Sequence, residues 1–553
     1  VRIAVACGKD GGGALRPVDD AGAPTGPAEH VADLVTAIAE RERALAPRWV
    51  WPSTARLYPR LLRAGVRVAR CHDLELVETL LLGHDGRYGE PRSVRAAWAR
   101  LRGAPVPDDP APPEVRPQPS LFDEAETGDA TAEGTAAGDI DQIIDQIVAV
   151  HAAQRRRFAE LDGFALLAAA ESAGALAAAE MGHDGLPWSA ERHDALLTEL
   201  LGPRPSGGLR PRRLQELADR IGEAFGRRVN PDSPAQIVKA FAGAGLPVTS
   251  TRAHVLKGVD HPAVPLLLEY KELARLHTAH GWTWLDTWVS GGRFRPEYVV
   301  GGVVSGRWAT NGGGALQIPR VLRRAVVADP GWALVVADAA QLEPRVLAAL
   351  AGDRAFAGAA AQGDLYSALA DAFGGARDKA KIALLSAMYG GGTGEAVQLL
   401  AVLKNRFPEA FGFVESAARA GERGHLVRSL LGRTCPPPSA EWRALTAEGT
   451  ERAAAAVRSR GRFTRNFVVQ ATAADWALVL LATLRRRLAE LGPPRLVFFQ
   501  HDEVIVHAPG ELAGEVGMAI QASAEEAGRL LFGRTPVVFP MEIAVVDCYA
   551  DAK

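Results

Sequence analysis

Two carboxylates in this 553-residue sequence stand where apolar runs stop. Leu334-Val335-Val336-Ala337 runs into Asp338, and Leu496-Val497-Phe498-Phe499 leads through Gln500-His501 to Asp502, with Glu503 and Val504-Ile505-Val506 behind it. Four successive apolar residues suit a strand buried on both faces, so Asp338 is predicted at a strand's end; the second stretch predicts a tight hairpin with Asp502 at its tip. An Asp after a strand also serves simply to cap the next helix, and an acidic hairpin tip is commonly only a turn. As a pair, two carboxylates held on rigid backbone are the minimum for clamping two divalent ions about a phosphoryl centre.

Three further stretches could meet a nucleotide or its polymer. Arg377, Lys381, Leu385 and Tyr389 recur every four residues, so on a helix they form one slowly winding stripe with cations at one end and an aromatic at the other. Such a stripe can hold phosphates and stack a base, or it is a solvated basic face. Arg458, Arg460, Arg462 and Arg465 make the densest basic cluster, and Arg462, Asn466 and Gln470 again fall four apart. That mixture of cation and amide suits sugar-phosphate and minor-groove acceptors, with a solvated face as the alternative. Ser305-Gly306-Arg307-Trp308 leads through Asn311-Gly312-Gly313-Gly314 to Leu316-Gln317-Ile318-Pro319-Arg320, a Gly-rich loop able to cradle a phosphate chain or merely to turn.

The elements that must position these groups follow from local grammar. After Asp338 come Ala339-Ala340-Gln341-Leu342-Glu343-Pro344-Arg345, and Pro344 is acceptable only in the first turn of a helix, which then carries Glu343 and Arg345. Thr472 to Leu491 is predicted as a strongly apolar helix stopped by Gly492-Pro493-Pro494. Residues 1–102 alternate strands (Arg2–Ala6, Trp49–Trp51, Val66–Ala69) with helical stretches near 28–44, 54–64 and 73–82, which reads as a small α/β domain. Its first strand has no carboxylate and Asp73 is its only acid well placed after a later strand, so a two-metal nuclease built there lacks ligands.

Residues 103–139 are Pro-rich and then acidic, and are expected to be a solvated linker. Within them Gln118-Pro119-Ser120-Leu121-Phe122 leaves two large apolar side chains without a core. Leu121 and Phe122 either dock on their own protein or form a short linear motif. Residues 140–300 are helical, with Asn230-Pro231-Asp232-Ser233-Pro234-Ala235-Gln236 opening one helix on an Asp/Ser cap and Leu268-Glu269-Tyr270 continuing another. Residues 301–553 carry the chemistry.

Composition sets outer limits. The 48% hydrophobic content is globular, and Lys+Arg at 63 against Asp+Glu at 65 leaves a net charge of -2, so any nucleic-acid surface must come from local segregation of charge. Cys7, Cys71, Cys435 and Cys548 are scattered without metal or redox spacing, which fits a reducing compartment. No apolar run is expected to span a membrane and no targeting leader is evident, so a cytoplasmic protein without a membrane partner is expected.

In this order the motifs resemble those of the family A DNA polymerases, the group of bacterial DNA polymerase I, over roughly residues 210–545. Asp338-Ala339-Ala340-Gln341-Leu342-Glu343-Pro344-Arg345 is similar to the family's Asp-Tyr-Ser-Gln-Ile-Glu-Leu-Arg motif. Arg377, Lys381 and Tyr389-Gly390 match its finger helix, and Gln500-His501-Asp502-Glu503 its Val-His-Asp-Glu motif. Arg462-x3-Asn466-x3-Gln470 is similar to its primer-template helix, and Ser233-Pro234-x-Gln236 with Leu268-Glu269-Tyr270 to its thumb.

The resemblance implies an α/β multidomain, right-hand fold of palm, fingers and thumb behind an exonuclease-like, ribonuclease H-like domain at 1–102. It implies that Asp338, Asp502 and the Ala339 carbonyl hold two Mg2+ ions, for which Mn2+ can substitute. Asp338, Asp502, Lys381 and Glu503 would be catalytic. Arg377 and Lys381 would grip a deoxynucleoside triphosphate, with Gln341, Tyr366, Leu385 and Tyr389 around it and Glu343 excluding a 2'-hydroxyl. Arg307, Gln317, Arg462, Asn466, Gln470 and His501 would touch primer-template DNA. Gln118, Leu121 and Phe122 resemble the peptide by which bacterial DNA enzymes hold the sliding clamp.

There are departures. Leu385 replaces an aromatic, Tyr366 a His, and Ala339-Ala340 the Tyr-Ser pair, while His72-Asp73-Leu74-Glu75 only faintly resembles an exonuclease motif whose first-strand partner is missing. An active, template-directed DNA polymerase in repair, gap filling or lesion bypass, without 3'-5' exonuclease activity and located with the nucleoid, is the expectation. A single-subunit RNA polymerase and a non-catalytic primer-template binder are the alternatives.

Overall fold

Ile3 to Ala6 are buried without a gap, as in a strand covered on both faces. The computed structural model describes residues 1–8, 10–110, 140–389 and 395–552. It opens with five strands, β1 (Arg2–Cys7), β2 (Gly13–Val18), β3 (Glu29–Val31), β4 (Arg48–Trp51) and β5 (Arg70–Asp73), in the order β3-β2-β1-β4-β5. β1 is antiparallel to β2 and parallel to β4.

Two strands here are not predicted from sequence: β2 forms on the β1 edge despite Gly13 and Pro17, and β3, paired with β2, occupies the start of the stretch near 28–44 expected to be helical. The third predicted strand also shifts, from Val66–Ala69 to Arg70–Asp73, because pairing of Trp49 with Cys71 and Trp51 with Asp73 fixes the register. The first helix begins only at Leu34, where Asp33 caps it by accepting from the Val35 and Thr36 N–H groups.

This N-terminal core does not end at residue 102. One face of the sheet is covered by the helices Leu34–Leu45 and Thr54–Arg63; on the other, Ile144, Ile147, Val148 and Val150 of the helix Ile140–Phe158 pack on Ala4, Ala6, Ala14 and Val50. Chain on both sides of the 103–139 stretch therefore builds one hydrophobic core. The compact units reflect this: Val1–Asp184 groups with Glu297–Asn311 and Val335–Ala544, and Gly185–Pro296 with Gly312–Leu334 and Val545–Lys553, rather than along the expected boundaries at 139 and 300.

Within the N-terminal sheet, Asp73 is spent on structure, accepting from the Leu76 N–H at 3.0 Å as a helix cap and from the Thr54 N–H at 2.6 Å. Glu75 is buried beside it, and burial pushes its carboxyl up to about 7 against the pull of Arg56. A carboxyl raised in the folded state carries no ionisation cost below its unfolded pKa and the full cost above its folded one. Stability therefore falls between about pH 4.5 and pH 7, by on the order of 3 kcal/mol. Glu75→Gln is expected to raise the thermal midpoint at pH 8 and leave it unchanged at pH 4.5; an equal shift at both would refute this assignment.

The helix Phe164–Asp184 joins this domain to the C-terminal half. It packs on β5 and Thr54–Arg63 and also on the helix Glu451–Leu491. Both it and Glu451–Leu491 are long and apolar enough to cross a membrane by length and composition, contrary to expectation, and both bury most of that surface within the protein. Glu451–Leu491 is one continuous helix of 41 residues, capped by Thr450, so the basic cluster and the apolar stretch predicted at 472–491 share one element. Between these two helices lies a buried ionic triad, in which Arg433 donates to Glu171 at 2.7 Å and to Asp475 at 2.8 Å.

The second unit holds the helices Ala190–Leu201, Arg212–Ala224, Pro234–Gly243 and Ala263–His280 and a small sheet of β6 (Leu186–Pro187), β7 (Val289–Ser290) and β8 (Arg293–Phe294) in the order β6-β8-β7. Ser233 caps its helix as predicted, while Asp232 accepts from the Tyr270 hydroxyl at 2.9 Å and from Arg210 at 2.8 Å. The Gly-rich loop does not form a free phosphate cradle. The Gly313 carbonyl accepts from Trp284 Nε1 at 2.7 Å, and a Cβ on Gly312 would stand 2.3 Å from the Trp288 ring, so the glycines let backbone lie flat on aromatic faces.

The remaining strands are β9 (Glu297–Val299) paired with β10 (Ala309–Gly312), and a four-stranded sheet of β11 (Trp332–Ala339), β12 (Arg495–Gln500), β13 (Glu503–Pro509) and β14 (Met541–Val546), ordered β12-β13-β11-β14. That sheet carries both predicted carboxylates.

Candidate active site

Ala333 to Ala337 of β11 are buried, and Asp338 is the first residue of the run to reach solvent. The chain then turns through Gln341, at φ +56°, into the helix Leu342–Ala351, with Pro344 in its first turn. β12 and β13 form the expected hairpin: Gln500 lies opposite Glu503, leaving His501 (φ +58°) and Asp502 as its tip. The Ala339 N–H donates to the Asp502 carbonyl at 3.0 Å, pinning the tip beside the end of β11. Tyr298 steadies β12, its hydroxyl donating to the Phe499 carbonyl at 2.9 Å and accepting from the Phe499 N–H at 3.1 Å, while Trp308 packs edge-on against the Phe499 ring.

The two carboxylates therefore interact. Burial and the neighbouring charge of Asp338 push the Asp502 carboxyl up to about 7. Proximity of like charges makes double ionisation costly, and a divalent cation between them reverses that preference. Hard oxygen donors with paired negative charge suit Mg2+. Glu503 is buried on β13.

Beside this pair, residues far apart in sequence converge on Glu343. Its carboxylate accepts from Arg307 and from the Tyr389 hydroxyl. Tyr389 ends the helix Arg377–Tyr389, and burial and the Glu343 charge push its phenol well above the ordinary value, with Gln470 in hydrogen-bond range of the same hydroxyl.

At the other end of that helix Arg377 lies over the Tyr366 ring, 5.5 Å from its centroid, and its Nε donates to Asp364 at 2.8 Å. Asp364 also caps the helix Leu365–Ala370 and accepts from Gln341 Nε2 at 2.8 Å. Burial opposes its charge, but the hydrogen bonds from Arg377, Ser367 and Gln341 outweigh burial and hold the carboxyl well below the usual range. Gln341 is thus engaged by protein, its Oε1 accepting from the Leu365 N–H at 2.9 Å. Lys381 is exposed and Leu385 half-buried.

The basic cluster divides by role. Arg465 donates to the Ala387 carbonyl at 2.8 Å and pairs with Glu415, and Arg460 donates to the Pro436 carbonyl at 2.9 Å, so both are structural. Arg458 and Arg462 are exposed. Asn466 is half-buried, with its Oδ1 out of solvent and without a hydrogen-bond partner among the described residues. His501 is exposed at the hairpin tip. Gln317 lies in a short turn of the second unit, Ala315–Gln317, and Gln118, Leu121 and Phe122 lie outside the described residues.

Sequence reasoning gave no role to Arg345, Asp364 or Tyr298. Arg345 is fully buried and donates to the carbonyls of Ala340 (2.9 Å), Ala360 (2.8 Å), Gln362 (3.1 Å), Gly363 (2.5 Å) and Val538 (3.1 Å), tying the turn after β11 to the approach to Asp364. Only the Asp364 cap, an Asp three residues before Ser367, left a legible signal.

The chain is similar to known proteins. Residues 210–546 match the profile of the family described as DNA polymerase family A. The thermostable DNA polymerase I of Thermus aquaticus is 28% identical over 379 residues, covering 60% of this chain and 43% of that protein. DNA polymerase I of Chloroflexus aurantiacus is 30% identical over 320 residues, covering 52% and 32%. The chain therefore spans less than half the length of these relatives. Among solved structures, the POL domain of Pol1 from M. smegmatis, in complex with DNA primer-template and dNTP, superposes with a TM-score of 0.72 at 18% identity over 99% of this chain and 95% of that one, which establishes a shared fold.

Proposed function

The chain belongs to DNA polymerase family A, and from that membership we propose that it adds deoxynucleotides to a primer 3'-hydroxyl under the direction of a DNA template. The observation that carries this reading is the pair Asp338 and Asp502, set side by side at strand ends with the Asp502 carboxyl pushed up to about 7. With the Ala339 carbonyl, they would hold two Mg2+ ions. Bound there, the ions would favour the deprotonated primer hydroxyl and offset charge on the departing pyrophosphate.

The remaining roles belong to this chain's side chains. Arg377 binds the triphosphate, and Lys381, exposed one helical turn further on, adds a compact positive charge and would deliver a proton to the leaving group. Tyr389 closes over the nascent base pair. Arg307, Arg462, Asn466, Gln470 and His501 contact primer-template DNA near its end, and the exposure of Arg462 and His501 supports their share of that role. In the N-terminal domain the carboxylate-free β1 and the structural use of Asp73 support a scaffold without 3'-5' exonuclease activity. Gap filling, repair synthesis or lesion bypass is the setting we favour, because Leu385 and Tyr366 replace the expected side chains around the sugar and phosphates.

Glu343 supports DNA over RNA as product. Held from two sides by Arg307 and Tyr389, it cannot swing away from a 2'-hydroxyl. Glu343→Ala is expected to narrow the preference for deoxynucleotides over ribonucleotides by roughly 100-fold in kcat/KM. Equal use of both sugars by the parent enzyme would instead favour the RNA polymerase reading. Primer extension with Mg2+ and one dNTP tests the activity itself: a chain that binds primer-template and never extends it is a binding protein.

A further inference from the structure

Gln341 and Asp364 do not belong to the carboxylate pair, yet they link the strand that carries Asp338 to the side chain proposed to grip the triphosphate. We propose that Gln341 and Asp364 are a positioning pair for Arg377, holding its guanidinium by Nε so that Nη1 and Nη2 remain for phosphate oxygens. This rests on the polymerase reading above.

Arg377 is an exposed residue on the first turn of its helix, where a long side chain ordinarily samples many rotamers. Here two contacts restrict it: the 2.8 Å bond from Nε to Asp364 and the Tyr366 ring beneath the guanidinium. A guanidinium has five N–H donors, and a bond through Nε alone leaves the fork of the other four.

Asp364 is itself fixed. Its Oδ1 accepts from Gln341 Nε2 at 2.8 Å and from the Tyr366 N–H at 3.0 Å, and its Oδ2 from the Ser367 hydroxyl at 2.7 Å as well as from Arg377. Gln341 is fixed in turn by the Leu365 N–H at 2.9 Å and by the buried Arg345 at 3.4 Å. Only Ala339 and Ala340 separate Gln341 from Asp338, so a short stretch of backbone and two side-chain hydrogen bonds join the carboxylate strand to the phosphate-gripping guanidinium. The simpler reading is a helix cap with an exposed ion pair, which would be worth little.

Asp364→Asn separates the two, because Asn caps a helix as well as Asp does while removing the charge that orients Arg377. Gln341→Asn tolerates the left-handed backbone and is too short to reach Asp364. In steady-state single-nucleotide incorporation each variant is expected to raise the KM for dNTP about ten-fold with kcat within about three-fold, and neither is expected to add to the larger rise caused by Arg377→Ala. Thermal midpoints within about 2 °C of the parent would show that the cap survives. Effects that multiply with Arg377→Ala, an unchanged KM, or a fall in kcat alone would overturn the proposal while leaving the polymerase intact. A parent chain that binds primer-template without extending it would overturn the polymerase reading, and this inference with it.

Discussion

Asp502→Ala is expected to slow single-nucleotide extension at least about 10,000-fold while primer-template affinity changes less than about three-fold. The asymmetry follows from position. Asp502 sits at the hairpin tip, tied by its own backbone carbonyl to the Ala339 N–H, so loss of its side chain leaves the β12–β13 hairpin and its bond to β11 in place. What disappears is half of the carboxylate pair. The apo protein should not be weakened, because an acid whose pKa is raised by burial and by Asp338 is a cost to the fold at neutral pH rather than a support. Rapid-quench incorporation, filter binding and a melting curve on the same preparation check all three statements. Extension above about 1% of the parent rate would remove Asp502 from the chemistry.

The largest expected loss of stability lies elsewhere. Arg433→Leu leaves Glu171 and Asp475 buried with no positive charge between them, and is expected to cost about 3–5 kcal/mol and lower the thermal midpoint by roughly 5 °C. The pH dependence distinguishes this from simple loss of packing. Burial already pushes the Asp475 carboxyl up despite Arg433. Without the arginine the Asp475 carboxyl rises further above its unfolded value. The penalty is then full at high pH and falls away as Asp475 takes up its proton, so the variant should approach the parent near pH 4.5 and fall furthest behind at pH 8. A deficit independent of pH would show that the triad acts by packing. Calorimetric scans at both values decide.

Much of the site was legible in sequence because its local grammar is strong. An apolar run ending in Asp338, an apolar hairpin around Asp502 and a four-residue stripe from Arg377 to Tyr389 each formed the element they predict. Their convergence was legible only through resemblance to a family, since no local rule brings Arg307, Glu343 and Tyr389 together. Three things were not legible. β2 exists because β1 offers a pairing edge, and β3 because β2 then offers one, a tertiary cause that the local sequence conceals. The partition of the basic cluster depends on which face of a 41-residue helix meets Glu415 and the Pro436 carbonyl. Arg345 reads as one more helix charge until five carbonyls surround it.

The helix Phe164–Asp184 bears on how such a protein can change over time. Its two sides serve two cores, and the N-terminal sheet is completed by Ile140–Phe158, chain that follows the Pro-rich stretch. A truncation or recombination break at that stretch would remove one wall of a shared core rather than a separable part. Selection acting on the C-terminal site alone is then enough to preserve the N-terminal sheet, whatever chemistry that sheet performs or has lost.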